Sequence, residues 1–429
     1  MPLEEAVFRG LPPDGGLYVP EPRPRFPDWP PAPAEPGAGD DLRPSARWAS
    51  PCLFPSLAAP VLERVVTAAL DFPVPLVEVE PHRFVLELFH GPTHAFKDVG
   101  ARFMAELMTE LETDPGAPRT ILVATSGDTG GAVASAFHGK EGARVVVLFP
   151  RGGVSELQRC QMTTLGGNVH AVSVEGSFDD CQALAKAAFS DGELADRHRL
   201  TSANSINVAR LLPQTLYYVH AARRLGAGVG ATEGSPRAHF VVPCGNLGNL
   251  CSGLIAAQAG MPHRGFTAAV NANRGFADLL AGSPWRPHAS VSTLSSAMDV
   301  GAPSNLERLR WLYHGSDDAL RRDVAGAVVD DEQTLACMTE VYHRSGYVLD
   351  PHTAVAYRAS QDLEVTRDEP VVVLGTAHPG KFPEIVQRAI GRRPPIPAGL
   401  ARAGAGTERV RRADPTLASL TKLLEDIDR

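Results

Sequence analysis

Only five of the chain's 41 basic residues are lysines: Lys97, Lys140, Lys186, Lys381 and Lys422. Where arginine is used so freely, each surviving lysine raises the question of what arginine could not do. Arginine stays protonated, whereas lysine can lose its proton and form a Schiff base. Lys140 and Lys186 read as solvated helix residues. Lys97 lies in the run Phe89-His90-Gly91-Pro92-Thr93-His94-Ala95-Phe96-Lys97-Asp98. Gly91 and Pro92 predict a turn, and Phe96 sets an apolar neighbour beside the amine, where partial loss of water favours the uncharged form. The same spacing fits an ordinary lysine paired with Asp98 at a helix start, and the motif alone leaves both readings open.

Three more clusters carry polar groups on glycine-rich turns. Thr125-Ser126-Gly127-Asp128-Thr129-Gly130-Gly131 gathers three hydroxyls and several N–H groups at a predicted helix start, which suits a carboxylate or phosphate; a simple capped turn has a similar composition. Gly245-Asn246-Leu247-Gly248-Asn249 can close its backbone around an anion as a nest. It matches neither the GxGxxG nor the GxxxxGK[ST] pattern, which argues against a dinucleotide or P-loop reading. Gly375-Thr376-Ala377-His378-Pro379-Gly380-Lys381 offers a strand-end hydroxyl that could meet a ring nitrogen, or a plain polar turn.

The elements that must position these clusters alternate. Apolar runs at 119–125, 144–150, 168–174, 200–204, 239–245, 265–270 and 370–376 are separated by helical stretches, including 177–189, which opens on the capping box Ser177 to Asp180. Near-continuous apolar strands between helices predict parallel sheets covered on both faces. SGDTGG, CGNLGN and GTAHPG all fall at predicted carboxyl ends of strands, where open parallel sheets bind ligands.

Composition bounds the function. The 429 residues suggest two to three domain units, and 44% apolar residues can build real cores. A formal net charge of −8 argues against a protein that works by neutralising nucleic-acid phosphates. No stretch reaches about 18 consecutive apolar residues, so no membrane span is expected. The acidic, Gly- and Pro-broken start MPLEEAVFRG does not read as a secretory signal. The six cysteines show neither CxxC pairs nor metal-ligand spacing, which fits reduced, packed thiols in a cytoplasmic protein and no metal site. The proline-rich stretch within 21–60 reads as a surface loop anchored by Phe26, Trp29 and Trp48.

HGPTHAFKD, TSGDTGGA, GNLGN and TAHPGKF occur here in an order that resembles the threonine synthase family of fold-type-II pyridoxal-phosphate enzymes. GLPPDGGLYVPE (10–21), PRGGVSELQRCQMTTLGGNVHAVSVEGSFDDCQ (150–182), NSIN (204–207) and AMDVGAPSNLERL (297–309) resemble further family segments, so the likeness spans most of the chain. The resemblance implies an α/β fold with two parallel-sheet domains of the tryptophan synthase beta-like kind and an N-terminal segment. The expected divisions are 1–75 for that segment, 76–205 for a smaller domain with the Schiff-base lysine, and 206–429 for a larger cofactor-binding domain.

The resemblance further implies pyridoxal 5'-phosphate carried on Lys97, its phosphate cradled by Gly245, Asn246, Leu247, Gly248 and Asn249, and its ring nitrogen facing Thr376. A neutral hydroxyl there leaves the ring a weaker electron sink than a carboxylate would. Ser126, Asp128 and Thr129 would hold the substrate's amino-acid end; Ser205, Asn207 and Arg210 would hold its phosphate, with Arg151 competing. The implied reaction turns O-phospho-L-homoserine and water into L-threonine and phosphate, the last step of threonine biosynthesis. The alternatives are a lyase of the same scaffold that yields a 2-oxo acid and ammonia, and a non-catalytic cofactor-binding relative. Monomer and homodimer both stay open. Three departures stand out: Asn249 replaces the aspartate common in relatives, His94 stands where an apolar residue is usual, and the family's Ser-Thr-Arg stretch does not precede Pro2.

Overall fold

The structure, a computed structural model, describes residues 1–12, 14–27, 29, 38–114, 116–226, 236–366 and 369–428. The chain forms two compact units. One comprises Met1–Tyr18, Lys97–Arg210 and Ile396–Arg429; the other comprises Val19–Phe96 and Leu211–Pro395. In chain order the strands are β1 (Leu76–Glu80), β2 (Arg83–Glu87), β3 (Arg119–Ala124), β4 (Ala143–Pro150), β5 (Val169–Val174), β6 (Thr201–Ser202), β7 (His239–Pro243), β8 (Gly265–Val270), β9 (Val324–Val328), β10 (Val371–Gly375) and β11 (Val410–Ala413).

The first unit is built on a five-stranded sheet of order β11-β5-β4-β3-β6, with every pairing parallel. Ile121, Leu122 and Val123 on β3 and Val145 to Leu148 on β4 have no exposure at all. Full burial of such a side chain contributes about 1.5–3 kcal/mol, and only a sheet covered on both faces gives it to consecutive residues. The helix Phe178–Ser190 starts on the expected box: Ser177 accepts from the Asp180 N–H and the Asp180 carboxylate accepts from the Ser177 N–H.

The second unit carries a six-stranded sheet of order β1-β2-β10-β7-β8-β9. Only β1 runs antiparallel to its neighbour. The decisive placement is β10. It arrives late in the chain yet sits between β2 and β7, with Val371 in register with Arg83 on one side and His239 on the other. The carboxyl ends of β2, β10 and β7 therefore lie side by side.

The compact units run differently from the expected divisions at 75/76 and 205/206. The N-terminal stretch is shared: Val7 O accepts from Asn207 Nδ2 in the first unit, whereas the helices Arg43–Leu53 and Ala59–Ala69 belong to the second. The segment 76–96 forms a hairpin that joins the sheet of the later residues, because β10 pairs with β2. The last helix, Leu417–Asp428, returns to the first unit, where Leu420 and Leu424 join the core around Leu122 and Val146. Strands β1, β2, β9 and β11 add to the seven runs read from the sequence.

Phe26, Trp29 and Trp48 do anchor the proline-rich stretch: the Phe26–Trp48 and Trp29–Trp48 ring centroids lie 4.9 and 5.3 Å apart. Residues 28 and 30–37 of that stretch lie outside the described residues. All six cysteines are free thiols and five are buried. Among the described residues no helix is long and apolar enough to cross a membrane.

Candidate active site

Within the second unit, the three adjacent strand ends carry two of the four chemistry-bearing clusters and the Phe89–Phe96 part of a third. Beyond β2, Leu88 N–H bonds to Gly375 O at 2.9 Å, so the chain leaves the sheet alongside the end of β10. It then turns at Gly91 and Pro92, where His94 takes a left-handed φ of 58° and its N–H bonds to Gly91 O. The return segment pairs antiparallel with the residues after β10. Ala95 bridges Ala377, His378 N–H reaches His94 O at 3.1 Å, and Phe96 N–H reaches Thr376 O at 2.9 Å. Buried Lys381 donates from Nζ to Thr93 O at 2.9 Å and fastens the turn from beneath. Lys97 is the next residue after Phe96 and the first of the helix Lys97–Leu111.

His94 is a turn residue packed near His378, with ring centroids 5.8 Å apart. Burial, aided by the charge of Lys381, pulls its pKa below the usual imidazole range. The His378 pKa is drawn down to about 4, chiefly by burial. Burial thus disfavours the charged form of both rings.

The loop after β7 becomes the helix Gly248–Gln258, and Leu247 at its N-cap has φ 61°. The first turn of that helix presents N–H groups with no intrahelical acceptor. Asn246 is fixed by two contacts: its Oδ1 accepts from Ser304 N–H at 2.6 Å and its carbonyl accepts from Asn305 Nδ2 at 3.0 Å. Gly245 is needed for close approach, since a Cβ there would lie 2.9 Å from both Ala297 O and Met298 Cα. Tyr217 and Tyr218 each donate a hydroxyl to Asn249 Oδ1 at 2.7 Å. That leaves Asn249 Nδ2 buried with no acceptor among the described residues. A buried, unsatisfied donor beside free helix N–H groups fits an anion such as a phosphate ester. Cys244 is only a packed thiol: its Sγ contacts Val242 O and burial pushes its pKa up.

Within the first unit, the fourth cluster follows β3. Thr125 Oγ1 accepts from Gly127 N–H and Gly130 N–H, both at 2.9 Å, and ties the loop to the start of the helix Asp128–Phe137. Gly127 has φ 143°, and a Cβ there would lie 2.6 Å from Gln158 Cδ. Ser126 and Thr129 are half-buried at the loop's edge. The sequence reading groups Asp128 with them, but Asp128 is buried and its Oδ1 accepts from Gln158 Nε2 at 2.8 Å. It braces the loop. A carboxylate is in any case a poor neighbour for a substrate carboxylate.

β3 lies between β4 and β6, so the loops after those strands flank SGDTGG. Arg151 follows β4 directly and makes an exposed pair with Glu175 at 2.7 Å. Ser205 lies half-buried after β6. Asn207 has no exposure: its Nδ2 donates to Val7 O and Ser202 O, and its Oδ1 accepts from Ala209 N–H. Arg210, 2% exposed, donates to Ala203 O at 2.6 Å, and burial lowers its pKa to about 10 against the opposing pull of Asp98. Both shape the turn that carries Ser205.

Sequence reasoning missed Gln158, Tyr217, Tyr218, Asn305, Asp350, His352 and Thr353, all of which support the loops above. Asp350-Pro351 could be read as a cap followed by a helix-starting proline, but nothing local says which strand end that helix supports.

A family model described as pyridoxal-phosphate dependent enzyme matches residues 72–377, and one described as threonine synthase, C-terminal, matches residues 353–423. The chain is 43% identical to the threonine synthase of Escherichia coli strain K12 over 401 residues, covering 92% of this chain and 90% of that one. The crystal structure of Escherichia coli threonine synthase aligns with a TM-score of 0.88 at 40% identity, over 99% of this chain and 97% of that chain. The structure of pyridoxal-phosphate-bound threonine synthase from Brucella melitensis aligns with a TM-score of 0.88 at 34% identity, over 100% and 97%.

Proposed function

The chain belongs to the threonine synthase family of pyridoxal-phosphate dependent enzymes, and we propose that it converts O-phospho-L-homoserine and water to L-threonine and phosphate with its cofactor on Lys97. The observation that supports this assignment most directly is the hydrogen bond from Phe96 N–H to Thr376 O. It ties the backbone entering Lys97 to the end of β10, the strand beside the one whose loop offers an anion nest.

In this reading the Gly245–Asn249 loop takes the cofactor phosphate on backbone N–H groups and on Asn249 Nδ2. The Thr376 hydroxyl would be the group that holds the pyridine nitrogen. Bound pyridoxal phosphate supplies the electron sink that lets the substrate's Cα and then Cβ give up protons. Lys97 Nζ would hold the cofactor and would be the group that takes and returns those protons, a task that needs an amine able to exist uncharged. Ser126 and Thr129, with the first-turn N–H groups of the helix Asp128–Phe137, orient the substrate carboxylate. Ser205 and Arg151, on the two flanking loops, take its phosphate end; Asp128, Asn207 and Arg210 hold those loops in shape.

The test is an absorbance spectrum of the purified protein before and after O-phosphohomoserine is added, with phosphate, threonine and ammonia measured together. The expected result is a cofactor band that responds to substrate, with threonine and phosphate in equal amounts and no ammonia. Lys97→Arg keeps the charge but loses the covalent link, and its kcat falls by roughly 10³-fold or more. Phosphate with ammonia and no threonine would instead make the enzyme a lyase. No band after added pyridoxal phosphate would overturn the cofactor assignment.

A further inference from the structure

Asp350 is a carboxylate with 1% exposure that caps the helix Pro351–Gln361. Four donors converge on it. Oδ1 accepts from His352 N–H at 2.9 Å and from His352 Nδ1 at 2.8 Å; Oδ2 accepts from Thr353 N–H at 3.3 Å and from the Thr353 hydroxyl. The tautomer of His352 is fixed by its other contact. Its Nε2 lies 3.1 Å from Ala297 N, and a backbone N–H can only donate, so Nε2 accepts and Nδ1 carries the proton toward Asp350.

Two branches leave this carboxylate. The first runs through His352 to Ala297, and the Ala297 carbonyl and Met298 Cα are the atoms against which Gly245 is packed. The second runs through Thr353, whose Oγ1 accepts from Thr376 N–H at 3.2 Å; Thr376 O in turn holds Phe96. Both branches need acceptors at both carboxylate oxygens. An amide in the same place would turn a donor toward one of them.

We propose that Asp350 is a positioning residue that sets both ends of the cofactor site: the phosphate loop through His352 and Ala297, and the Thr376–Phe96 segment leading to Lys97 through Thr353. This rests on the cofactor reading above. It assigns to Asp350, His352 and Thr353 a role that neither their burial nor their helix-capping position would give them.

The experiment uses holoenzyme carrying single substitutions that cut one branch each, with two spectroscopic readouts. The 31P resonance of the bound cofactor reports its phosphate, and the near-UV and visible absorption and circular dichroism report its ring. Thr353→Val shifts the ring signals and leaves the 31P resonance in place; Thr353→Ser, which keeps the hydroxyl, returns wild-type values. His352→Phe, which fills the same space beside Phe382, shifts the 31P resonance and leaves the ring signals in place. Asp350→Asn moves both and weakens cofactor affinity roughly tenfold or more. If Asp350→Asn does not fold, the single-branch variants still decide the matter. Single-branch variants, Thr353→Val or His352→Phe, whose thermal melting stays normal but whose two signals move together, or not at all, overturn the proposal. A wild type that shows no cofactor band overturns the underlying reading and this one with it, so the two failures are told apart.

Discussion

Gly245→Ala is the substitution whose effect the backbone fixes most firmly. The added Cβ would lie 2.9 Å from Ala297 O and from Met298 Cα, and 3.4 Å from Val300 Cγ2. Two of these are main-chain atoms and cannot rotate away as a side-chain tip would. Either the Gly245–Asn249 loop lifts off or the 297–298 segment retreats and strains the Ala297 N–H to His352 bond. Overpacking of this kind costs about 1–3 kcal/mol, which corresponds to roughly a 5- to 150-fold loss if it is borne by the ligand-holding conformation. The assay is equilibrium titration of cofactor-stripped protein with pyridoxal phosphate, read by the cofactor band, beside a thermal melt of the stripped form. Gly192→Ala is the control, because a Cβ there meets nothing within 4 Å and it opens the short helix Gly192–Arg197; its cofactor affinity stays at the wild-type value. If Gly245→Ala binds as tightly as the control and melts at the same temperature, the close-approach argument for this loop is wrong.

Gly127→Ala strains a φ of 143° and drives a Cβ into Gln158, so KM for O-phosphohomoserine rises on the order of tenfold while cofactor affinity is unchanged; steady-state kinetics and the same titration separate the two. Ser205→Ala and Arg151→Ala each raise KM if both loops hold the substrate phosphate, and an Arg151→Ala enzyme with wild-type KM removes Arg151 from the site. Because Arg151 and Glu175 form an exposed pair, that variant changes stability by less than about 1 kcal/mol, as a urea melt would report. Burial lowers the His220 pKa to about 4, and its Nε2 lies 3.0 Å from Val74 O. Below pH ~6.5 the unfolded imidazole takes a proton that the folded one refuses until about pH 4. Stability from this group is therefore intact above pH ~6.5 and falls by about 1.4 kcal/mol per pH unit as acid is added across that window. His220→Gln flattens the slope of urea stability between pH 6.5 and 4, and equal slopes would refute the assignment.

The strand-end loops were legible because their signals are local. An apolar run that ends in a glycine-containing polar turn reads the same way at β3, β7 and β10 wherever those strands lie. The other strands were obscured by their surroundings. β9 and β11 are edge strands with mostly exposed residues, and β11 carries Arg411 and Arg412, which suit an edge and disguise a strand. β1 (LVEVE) mixes charged with apolar residues and β2 (RFVLE) offers an apolar run of only three residues between charged ends, around the turn at His82, where φ is 60°. Such a hairpin gives no hint that β2 will pair in parallel with a strand almost 300 residues later.

That long-range pairing is also why the site's supports escaped a reading of the sequence. A residue can be recognised as a ligand from its own motif, but a residue that holds a ligand in place is recognisable only through what it touches. Asp350 looks like a helix cap and is one. It gains a second role because β10 enters the sheet between β2 and β7, which puts Thr376 within reach of Thr353 and the β7 loop against Ala297. The same pairing explains the position of Phe96: it is held by Thr376, on a strand end that the chain has not yet made when Phe96 is reached. Under the proposed assignment, the segment that leads to the cofactor's lysine depends on closure of a sheet across most of the chain's length. A substitution that loosens β10, even one far from every polar group named above, is expected to lower cofactor affinity before it lowers helix content, and native-state titration of the cofactor band against far-UV circular dichroism in urea would reveal that order.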